Sequence, residues 1–233
     1  MGNHDGGGFT PYYQDEFVTL FHGDCLEVTE WLSADVLVTD PPYGVAVSQY
    51  GMDNNRKKRR EQVARDVIKN DNDTQVRDEA LGLWGQRPAI VFGSWRQPRP
   101  ENIRQRLIWH KLKSSPGISN APWYSADEEI YVIGQGFVGK PEQTVYQTNE
   151  ARMGPHGLPA QIGHPTPKPV GLMERLISKC PDGVIADPFA GSGATLLAAR
   201  NLGRKVIGVE LEEKYCELIA NRLSQQTFQF ELA

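Results

Sequence analysis

The sequence predicts an α/β fold built on a mostly parallel, twisted sheet. Apolar runs at Val184–Ala186 and Lys205–Val209 have the length of buried strands, and a helical segment, Ala194–Leu202, lies between them. Strand, helix and strand in this order form a βαβ unit, the building block of parallel sheets. A third apolar run, Asp35–Val38, is followed by an acid and two prolines. The 233 residues suffice for one such domain with a small insertion.

The composition is typical of a water-soluble globular protein. Hydrophobic residues make up 39% of the chain and charged residues 23%, and no apolar segment is long enough to cross a bilayer. The first residues are Gly-rich and polar and lack the apolar core of a signal peptide, so we expect a flexible tail over 1–16 and a single domain over 17–233.

The cysteines indicate a reducing compartment. Cys25, Cys180 and Cys216 have no metal-ligand spacing, and their odd number argues against a complete disulfide framework. Three partly buried thiols are the simplest interpretation. We therefore expect a cytoplasmic protein without a metal site.

The remaining hydrophobic patterns predict further strands and helices. In chain order they are a strand at Phe17–Phe21, helices at Cys25–Trp31 and Thr74–Trp84, a strand at Ala89–Phe92, a helix at Glu101–Arg106, strands at Leu107–Trp109 and Glu128–Ile133, and helices at Val170–Ser178 and Glu213–Leu223. Little helix separates the strands of the middle region, which predicts an antiparallel hairpin at one edge of the sheet. The aperiodic segments 44–73 and 134–163 are expected to be a mobile basic loop and a small recognition insertion.

A rigid corner follows the strand at Asp35–Val38. Its sequence, Thr39-Asp40-Pro41-Pro42-Tyr43, cannot continue a β-ladder, because proline fixes its φ angle and has no N–H donor. The corner presents a carboxylate, an unpaired carbonyl and an aromatic ring where open α/β sheets bind ligands. This set suits a flat heterocycle with an amino group, which would donate to Asp40 and to the Pro41 carbonyl while Tyr43 stacks on the ring.

The C-terminal βαβ unit has the features of a nucleoside-binding site. Its turn, Asp187-Pro188-Phe189-Ala190-Gly191-Ser192-Gly193, lets the backbone approach a ligand, and Glu210 ends the second strand, where a carboxylate binds ribose hydroxyls. Dinucleotide sites share this logic, but Leu196 stands where their third glycine falls. Asp187 would also repel a pyrophosphate and attract a cation. Both features favour a cationic nucleoside over NAD.

Two motifs resemble those of one enzyme family. Asp40-Pro41-Pro42-Tyr43 is similar to the catalytic motif of the amino-directed DNA methyltransferases, which use S-adenosyl-L-methionine (SAM) to methylate adenine N6 or cytosine N4. His164-Pro165-Thr166-Pro167-Lys168-Pro169 resembles their His-Pro-Thr-x-Lys-Pro motif. The catalytic corner precedes the cofactor turn, as in the beta class of that family, and the match runs from Val18 to Leu223. The resemblance implies a circularly permuted, Rossmann-like SAM-dependent methyltransferase fold.

The resemblance also implies roles for the matching residues. The catalytic residues would be Asp40, Pro41, Pro42 and Tyr43. The cofactor-binding residues would be Asp24, Cys25, Thr166, Lys168, Asp187, Pro188, Phe189, Gly191, Gly193, Thr195 and Glu210. Asp24 would bind the adenine amine of SAM, although a helix N-cap favours the same residue type. Thr166 and Lys168 would lie near the methionine or ribose end, whereas a Pro-rich helix start explains the prolines but not the lysine.

Double-stranded DNA is the partner that the resemblance implies. The net charge of −4 and isoelectric point near 5.8 argue against a strong polyanion binder, so local clusters carry the expectation. The residues expected at DNA phosphates are Arg56, Lys57, Lys58, Arg59, Arg60, Arg96 and Lys113. The second cluster also contains Arg99, Arg104, Arg106 and Lys111. A solvated loop and helix face is the alternative interpretation of either cluster.

Methyl transfer to adenine N6 in a short DNA sequence is the expected reaction. Within the resembling family, Asp at the first motif position accompanies N6 specificity more often, and Ser accompanies N4. The amine lies inside the duplex, so the base must be flipped out, and Tyr43 would supply a stacking surface. Cytosine-5 chemistry is disfavoured, because it needs a Pro-Cys pair and Cys180 precedes its proline.

Several alternatives stay open at the level of sequence. They are an N4-cytosine DNA methyltransferase, a catalytically silent SAM- or DNA-binding protein, an NAD-dependent oxidoreductase, and a methyltransferase acting on RNA or protein glutamine. Two features depart from the family pattern, namely a short recognition region and Asp127-Glu128 in place of a common His-Glu pair. A restriction-modification or orphan role, and a monomer or homodimer, are equally compatible with the sequence.

Overall fold

The computed structural model describes residues 8–42, 74–112, 123, 126–149 and 157–230, with side chains of the last helix as far as residue 225. The strands in these residues are β1 (Tyr13–Gln14), β2 (Val18–His22), β3 (Val36–Thr39), β4 (Ala89–Gly93), β5 (Ile103–Lys111), β6 (Asp127–Ile133), β7 (Val145–Thr148), β8 (Ile185–Asp187) and β9 (Val206–Glu210). They form one sheet in the order β1-β2-β9-β8-β3-β4-β6-β5-β7. The predicted α/β class is confirmed.

Helices cover both faces of this sheet. They are α1 (Gln75–Trp84), α2 (Leu158–Ile162), α3 (Val170–Ile177), α4 (Ala194–Asn201) and α5 (Glu213–Phe230). The core on one face contains residues of α3, α4 and α5, and the core on the other contains residues of α1 and of a 3-10 turn at Glu30–Ser33. Successive residues of β3 alternate between them, because Val36 and Val38 lie in the first core and Leu37 lies in the second.

The centre of the sheet is parallel and gathers acidic residues at one edge. β2, β9, β8, β3 and β4 run in the same direction. Leu37 of β3 is paired with Ala186 of β8, so the chain continues from both strands toward the same side. Asp187 is paired with Gly208 of β9. Asp40, Asp187 and Glu210 therefore come together at the carboxyl ends of adjacent strands, where open α/β sheets bind ligands.

The antiparallel part of the sheet is larger than the sequence predicted. β6 pairs antiparallel with both β4 and β5, which confirms an antiparallel pair. This pair is not at the edge, because β7 adds to β5 in parallel. β7 lies in the segment 134–163 that we expected to be an aperiodic insertion, and α2 lies there as well. The side chain of Tyr146 packs into the core, and its burial stabilises β7.

The helix predicted at Glu101–Arg106 is wrong. β5 begins at Ile103 and runs to Lys111, where the sequence analysis predicted a strand only at Leu107–Trp109. The charged residues at its start have fair helix propensity, but β5 pairs with β6 along its length, with a β-bulge after Ile103, and buries Leu107 and Trp109. Sheet pairing outweighs local propensity here.

The helix predicted at Cys25–Trp31 is also wrong. The Asp24 carbonyl accepts hydrogen bonds from the N–H groups of Glu27 at 3.0 Å and Val28 at 2.8 Å, which close a turn. The 3-10 turn at Glu30–Ser33 follows it. Trp31 is fully buried and stacks on Trp84 with 5.9 Å between ring centroids. The packing of this indole, which a local pattern does not reveal, sets the backbone path.

A strand forms within the segment expected to be a tail. β1 pairs antiparallel with β2, and the Tyr12 N–H donates to the Leu20 carbonyl at 2.7 Å. The Asp15 carboxylate accepts hydrogen bonds from the N–H groups of Phe17 at 2.9 Å and Val18 at 2.8 Å. The basic loop expected over 44–73 lies outside the described residues. Within the described part of the chain, none of the helices has the length and hydropathy needed to cross a membrane.

Candidate active site

A cavity of about 240 Å³ lies at the carboxyl ends of the central strands. The residues predicted from sequence that line it are Asp24, Cys25, Asp40, Pro41, Pro42, Thr166, Lys168, Asp187, Pro188, Phe189, Gly191, Thr195 and Glu210. Gly193 lies just before α4, and Tyr43 falls outside the described residues. The catalytic corner and the Gly-rich turn, which are about 150 residues apart in sequence, thus share one cavity.

Asp40 is held at this cavity by a lysine that lies 128 positions further along the chain. The Lys168 ammonium donates a hydrogen bond to Asp40 Oδ2. The other oxygen, Oδ1, is buried and has no hydrogen-bond partner among the described residues. Burial raises the pKa of Asp40 to about 6 against the opposing effect of Lys168, and the nearby charge of Glu128 adds to the rise. The corner therefore has one carboxylate oxygen available to a donor.

Four side chains of alternating charge meet beside the cavity, and we call them the charge row: Asp40, Lys168, Glu128 and Lys111. Lys168 Nζ lies 3.2 Å from Glu128 Oε2, and Lys111 contacts Glu128 Oε1. Burial opposes ionisation of Glu128, yet Lys168 and Lys111 outweigh it and lower the pKa of Glu128 to about 2. Burial also disfavours the Lys168 ammonium, but the two carboxylates outweigh it and raise the pKa of Lys168. Mutual pairing keeps these buried groups charged.

Asp187 connects the Gly-rich turn to the catalytic corner. Its Oδ1 accepts hydrogen bonds from Thr39 Oγ1 at 2.7 Å and from the Phe189 N–H at 3.2 Å. Burial raises the pKa of Asp187, although the hydrogen bonds from Thr195 and Thr39 oppose the rise. The buried carboxylate is thus fixed in orientation by donors from both strand ends.

The glycines of the turn are required by its geometry. Gly191 has a φ of 52° and Gly193 a φ of 78°, both in the left-handed region that favours glycine. A Cβ atom at Gly193 would lie 2.8 Å from Ile219 Cγ1 of α5, so the turn packs directly on that helix. A Cβ atom at Gly191 would lie 3.3 Å from His164 Nε2. The backbone at Gly191 is therefore close to the cavity wall and open to a ligand.

Glu210 and Asp24 accept hydrogen bonds from nearby backbone groups. Glu210 Oε2 accepts from the Gly191 N–H at 2.7 Å, and Oε1 accepts from the Glu212 N–H at 2.8 Å. Burial nevertheless raises the pKa of Glu210 to about 7. Asp24 Oδ1 accepts from the Leu26 N–H at 2.9 Å, which stabilises the turn at 25–27 and is not a helix N-cap, since no helix begins at Cys25. Asp24 also lines the cavity, so this bond leaves it in place for a ligand.

The sequence analysis missed several residues that line the cavity, among them Glu128, His164 and Tyr215. The rings of His164 and Tyr215 lie 4.6 Å apart at an angle of 59°. His164 Nδ1 accepts a hydrogen bond from the Thr166 N–H at 3.3 Å. Burial, with Lys168 adding to it, lowers the pKa of His164 to about 4, so the imidazole is neutral. The position of His164 at the start of the Pro-rich motif is the sequence signal that could have identified it as a cavity residue.

The basic residues predicted at DNA differ in their surroundings. Arg96 is exposed, and its guanidinium lies 5.2 Å from the centre of the exposed Trp95 ring. Arg99 and Arg106 instead pair with Glu129, at 2.8 Å and 2.9 Å. The single Glu129 carboxylate thus balances about one of these two positive charges. The predicted residues Arg56, Lys57, Lys58, Arg59, Arg60 and Lys113 lie outside the described residues.

Comparison with known proteins finds similarity to DNA methylases. Residues 124–222 match the N6/N4 family model, which is described as a DNA methylase. The type II methyltransferase M.ScaI of Streptomyces caespitosus is 26% identical in an alignment of 262 positions, gaps included. The alignment covers 93% of this chain and 84% of that protein. The chain is therefore similar to N6/N4 DNA methylases, in residues 124–222 to the family model and over most of its length to M.ScaI. SAM is the methyl donor of the N6/N4 methylases.

Solved structures show the N6/N4 methylase fold. The M1.HpyAVI–SAM complex matches with a TM-score of 0.56 at 20% identity, covering 88% of this chain and 99% of that one. The PvuII DNA methyltransferase, which is cytosine-N4-specific, matches with a TM-score of 0.56 at 16% identity, covering 91% and 88%. The expected fold of SAM-dependent methyltransferases is therefore confirmed.

The cavity fits the cofactor of N6/N4 methylases. Carboxylates of Asp24, Asp187 and Glu210 line it together, and burial raises the pKa of the last two. Such a site favours a cation, since a positive ligand relieves the desolvation of the carboxylates. The positive φ at Gly191 favours glycine, and a glycine leaves the turn free of side-chain atoms where a nucleoside would approach.

Proposed function

We propose that this chain transfers a methyl group from SAM to the exocyclic N6 of adenine within a short sequence of double-stranded DNA. The observation that carries the proposal is the position of Asp40 Oδ1, a buried acceptor without a hydrogen-bond partner among the described residues, in the same cavity as the Gly-rich turn. A buried carboxylate oxygen without a donor is costly. The amino group of a base is a donor of the right chemistry.

The cofactor-binding residues are those at the turn. When bound, SAM supplies a methyl group on a sulfonium, which leaves as a neutral thioether. Asp187 would hold the positively charged methionine moiety, and Gly191 would let the backbone approach it. Glu210, oriented by two backbone N–H groups, would accept hydrogen bonds from the ribose hydroxyls. Asp24 would accept one from the adenine amine of SAM.

The corner residues would activate the target amine. The lone pair of an exocyclic amino nitrogen is delocalised into the ring, which makes the nitrogen a poor nucleophile. Hydrogen bonds from its two N–H groups to Asp40 and to the Pro41 carbonyl would favour a pyramidal nitrogen whose lone pair can form the N–CH₃ bond. The methylated nitrogen, now positively charged, then passes one proton to the Asp40 carboxylate that accepts its hydrogen bond. Asp40 is a much stronger acceptor when ionised, so its pKa of about 6 makes activity depend on pH.

The target base has to leave the duplex to reach this cavity. Flipping removes it from stacking, and Tyr43 would replace part of that stacking. Arg96, which is exposed beside Trp95, would contact phosphate together with Lys113 and the basic block over 56–60.

Adenine is proposed over cytosine because Asp40 stands at the first motif position. This preference rests on an association within the family and not on the geometry, since both bases place an amine beside a ring nitrogen. The cytosine-N4-specific PvuII enzyme shares the fold, so N4 methylation is the second candidate.

The test identifies the methylated nucleoside. Purified protein is incubated with methyl-labelled SAM and unmethylated duplex DNA of mixed sequence, and the DNA is digested to nucleosides for mass spectrometry. N6-methyladenine supports the proposal, and N4-methylcytosine in its place establishes the second candidate. Absence of both from wild-type reactions, with SAM binding intact, overturns DNA methylation as the function.

Asp40→Ala is the matched control. It removes the acceptor but none of the residues proposed for cofactor binding, so we expect methyl transfer to be lost while SAM affinity by calorimetry stays within a few fold. Activity comparable to wild type would refute the role of Asp40.

A further inference from the structure

Lys168 is shared between two carboxylates. Its ammonium contacts Asp40 Oδ2 and lies 3.2 Å from Glu128 Oε2. The ammonium also lies 5.1 Å from the centre of the Phe92 ring and 5.9 Å from that of Trp109. The aromatic rings shield this site from water, and Lys168 is only 5% exposed. Its attraction to each carboxylate is therefore strong and weakly screened.

The two carboxylates compete unequally for this lysine. Glu128 has a second cation, because Lys111 contacts its other oxygen. Asp40 contacts Lys168 alone among the cations that the structure describes. Lys168 contacts Oδ2, but an undivided Lys168 charge would draw electron density from the whole Asp40 carboxylate and so weaken Oδ1 as the acceptor for the target amine. The enzyme thus needs Lys168 close to Asp40 but not bound to it exclusively.

We propose that Glu128, held in place by Lys111, is a positioning residue that draws the Lys168 ammonium partly away from Asp40 and so leaves the Asp40 carboxylate available to the target amine. The inference rests on the proposed function, since it assigns a role in the same site. Glu128 acts through Lys168 and contacts neither the base nor the methyl donor.

The charge row makes opposite predictions for its two outer members. In Glu128→Gln the lysine is no longer shared, so Asp40 is held more tightly and its titration shifts to lower pH. In Lys111→Gln the freed Glu128 attracts Lys168 more strongly, so Asp40 loses part of its counter-charge and its titration shifts to higher pH. Charge removal alone also shifts the titration in these directions, so the plateau kcat of Glu128→Gln is the measurement that separates a positioning role from a purely structural one.

The other groups that face Asp40 are unchanged in both variants. Asp187 of β8 approaches Asp40 from the Gly-rich turn, and its negative charge also raises the pKa of Asp40. Lys168 approaches from the segment before α3, and Glu128 approaches from β6. Phe92 and Trp109 add no charge.

A matched control lies next to Glu128 on the same strand. Glu129 is more deeply buried than Glu128, and it pairs with Arg99 and Arg106 and accepts a hydrogen bond from the Tyr131 hydroxyl at 2.6 Å. It makes no contact with the charge row among the described residues. Glu129→Gln therefore removes the same charge from β6 and should leave Asp40 unaffected.

The first measurement needs neither SAM nor DNA. The side-chain carboxyl of Asp40 is titrated by ¹³C NMR in the free protein and assigned with Asp40→Asn. We expect the midpoint to move down by about one pH unit in Glu128→Gln and up by a similar amount in Lys111→Gln. Midpoints that stay at the wild-type value in both variants, or that move in the same direction, overturn the proposal. If Glu128→Gln does not fold, Lys111→Gln alone tests the proposal: an upward shift of the Asp40 midpoint supports it, and an unchanged midpoint overturns it.

The second measurement is the pH profile of kcat at saturating SAM and DNA. The acid limb should shift in the same directions as the titration, and the plateau kcat of Glu128→Gln should fall about tenfold with KM for SAM unchanged. An unchanged plateau and limb in an active enzyme overturn the inference. Failure of the wild type to methylate DNA refutes the proposed function separately, because the NMR titration still tests the charge row.

Discussion

Thr39 Oγ1 donates a hydrogen bond of 2.7 Å to Asp187 Oδ1, across 148 positions of sequence. Thr39 is the last residue of β3 and Asp187 the last of β8, and both are buried. One residue further on, Asp40 begins the corner that we propose to be catalytic, while Asp187 begins the Gly-rich turn. This bond therefore fixes the spacing between the two halves of the site.

Thr39→Val tests this connection, since it keeps the shape of the side chain and removes the donor. The buried Asp187 carboxylate then loses a hydrogen bond, and we expect the free energy of unfolding to fall by about 1–3 kcal/mol. SAM affinity should fall as well, because Asp187 is no longer held in one orientation. Urea denaturation and calorimetry measure the two effects. Thr39→Ser keeps the hydroxyl and should retain most of both, and a Val variant as stable as wild type would contradict the assignment.

Gly193→Ala should destabilise the turn on two grounds. The residue has a φ of 78°, and a Cβ atom would lie 2.8 Å from Ile219 Cγ1. Strain and overlap together should lower the free energy of unfolding by about 2–4 kcal/mol. Gly203→Ala is the control, since Gly203 has a φ of 66° but its Cβ would meet open space. Its loss should be about 1 kcal/mol by chemical denaturation, and equal losses would rule out the packing argument.

The protonation of Glu210 should make stability depend on pH. Burial raises the pKa of Glu210 to about 7 from its ordinary value of 4.5, so the folded state retains a proton that the unfolded state has released. This contribution to stability is complete below the unfolded pKa and is lost as pH rises through the folded pKa. As pH rises from about 5 to about 8, the free energy of unfolding of wild type should fall by about 2–3 kcal/mol more than that of Glu210→Gln.

Denaturant titrations over this pH range compare the variant with Glu79→Gln. Glu79 is an exposed carboxylate on α1, so its variant should follow the wild-type pH dependence. The same pH dependence in all three proteins would show that folding does not raise the pKa of Glu210, and it would contradict the prediction.

Arg96 and Arg106 should contribute unequally to DNA binding. Arg96→Ala should weaken binding and reduce the slope of log affinity against log salt by about 0.9, as for one lost phosphate contact. Arg106 shares the Glu129 carboxylate with Arg99 and lies 2.9 Å from it, so its charge is partly compensated and Arg106→Ala should change the slope by less than a full phosphate contact. Fluorescence anisotropy of a labelled duplex at several salt concentrations measures both slopes. Equal slopes in the two variants would argue against the role given to the ion pair.

Local patterns in the sequence were sufficient for much of the fold. Short apolar runs and the glycines after β8 predicted the βαβ unit, and Pro41 and Pro42 predicted where β3 ends, because these signals act over a few residues. Where local propensity met tertiary packing, the prediction failed. Burial of Trp31 replaced a helix by a turn, and the ladder to β6 turned Glu101–Arg106 largely into strand.

The sequence by itself determined which chemical groups end the central strands, since a strand ends where its own residues no longer pair. Only the tertiary structure decided which of these groups meet. Lys168 was expected near the cofactor from its motif, yet its ammonium contacts Asp40 and lies beside Glu128. The physical reason is that the partner of a buried charge is set by the order and register of the strands, and no local spacing encodes a contact across 128 residues.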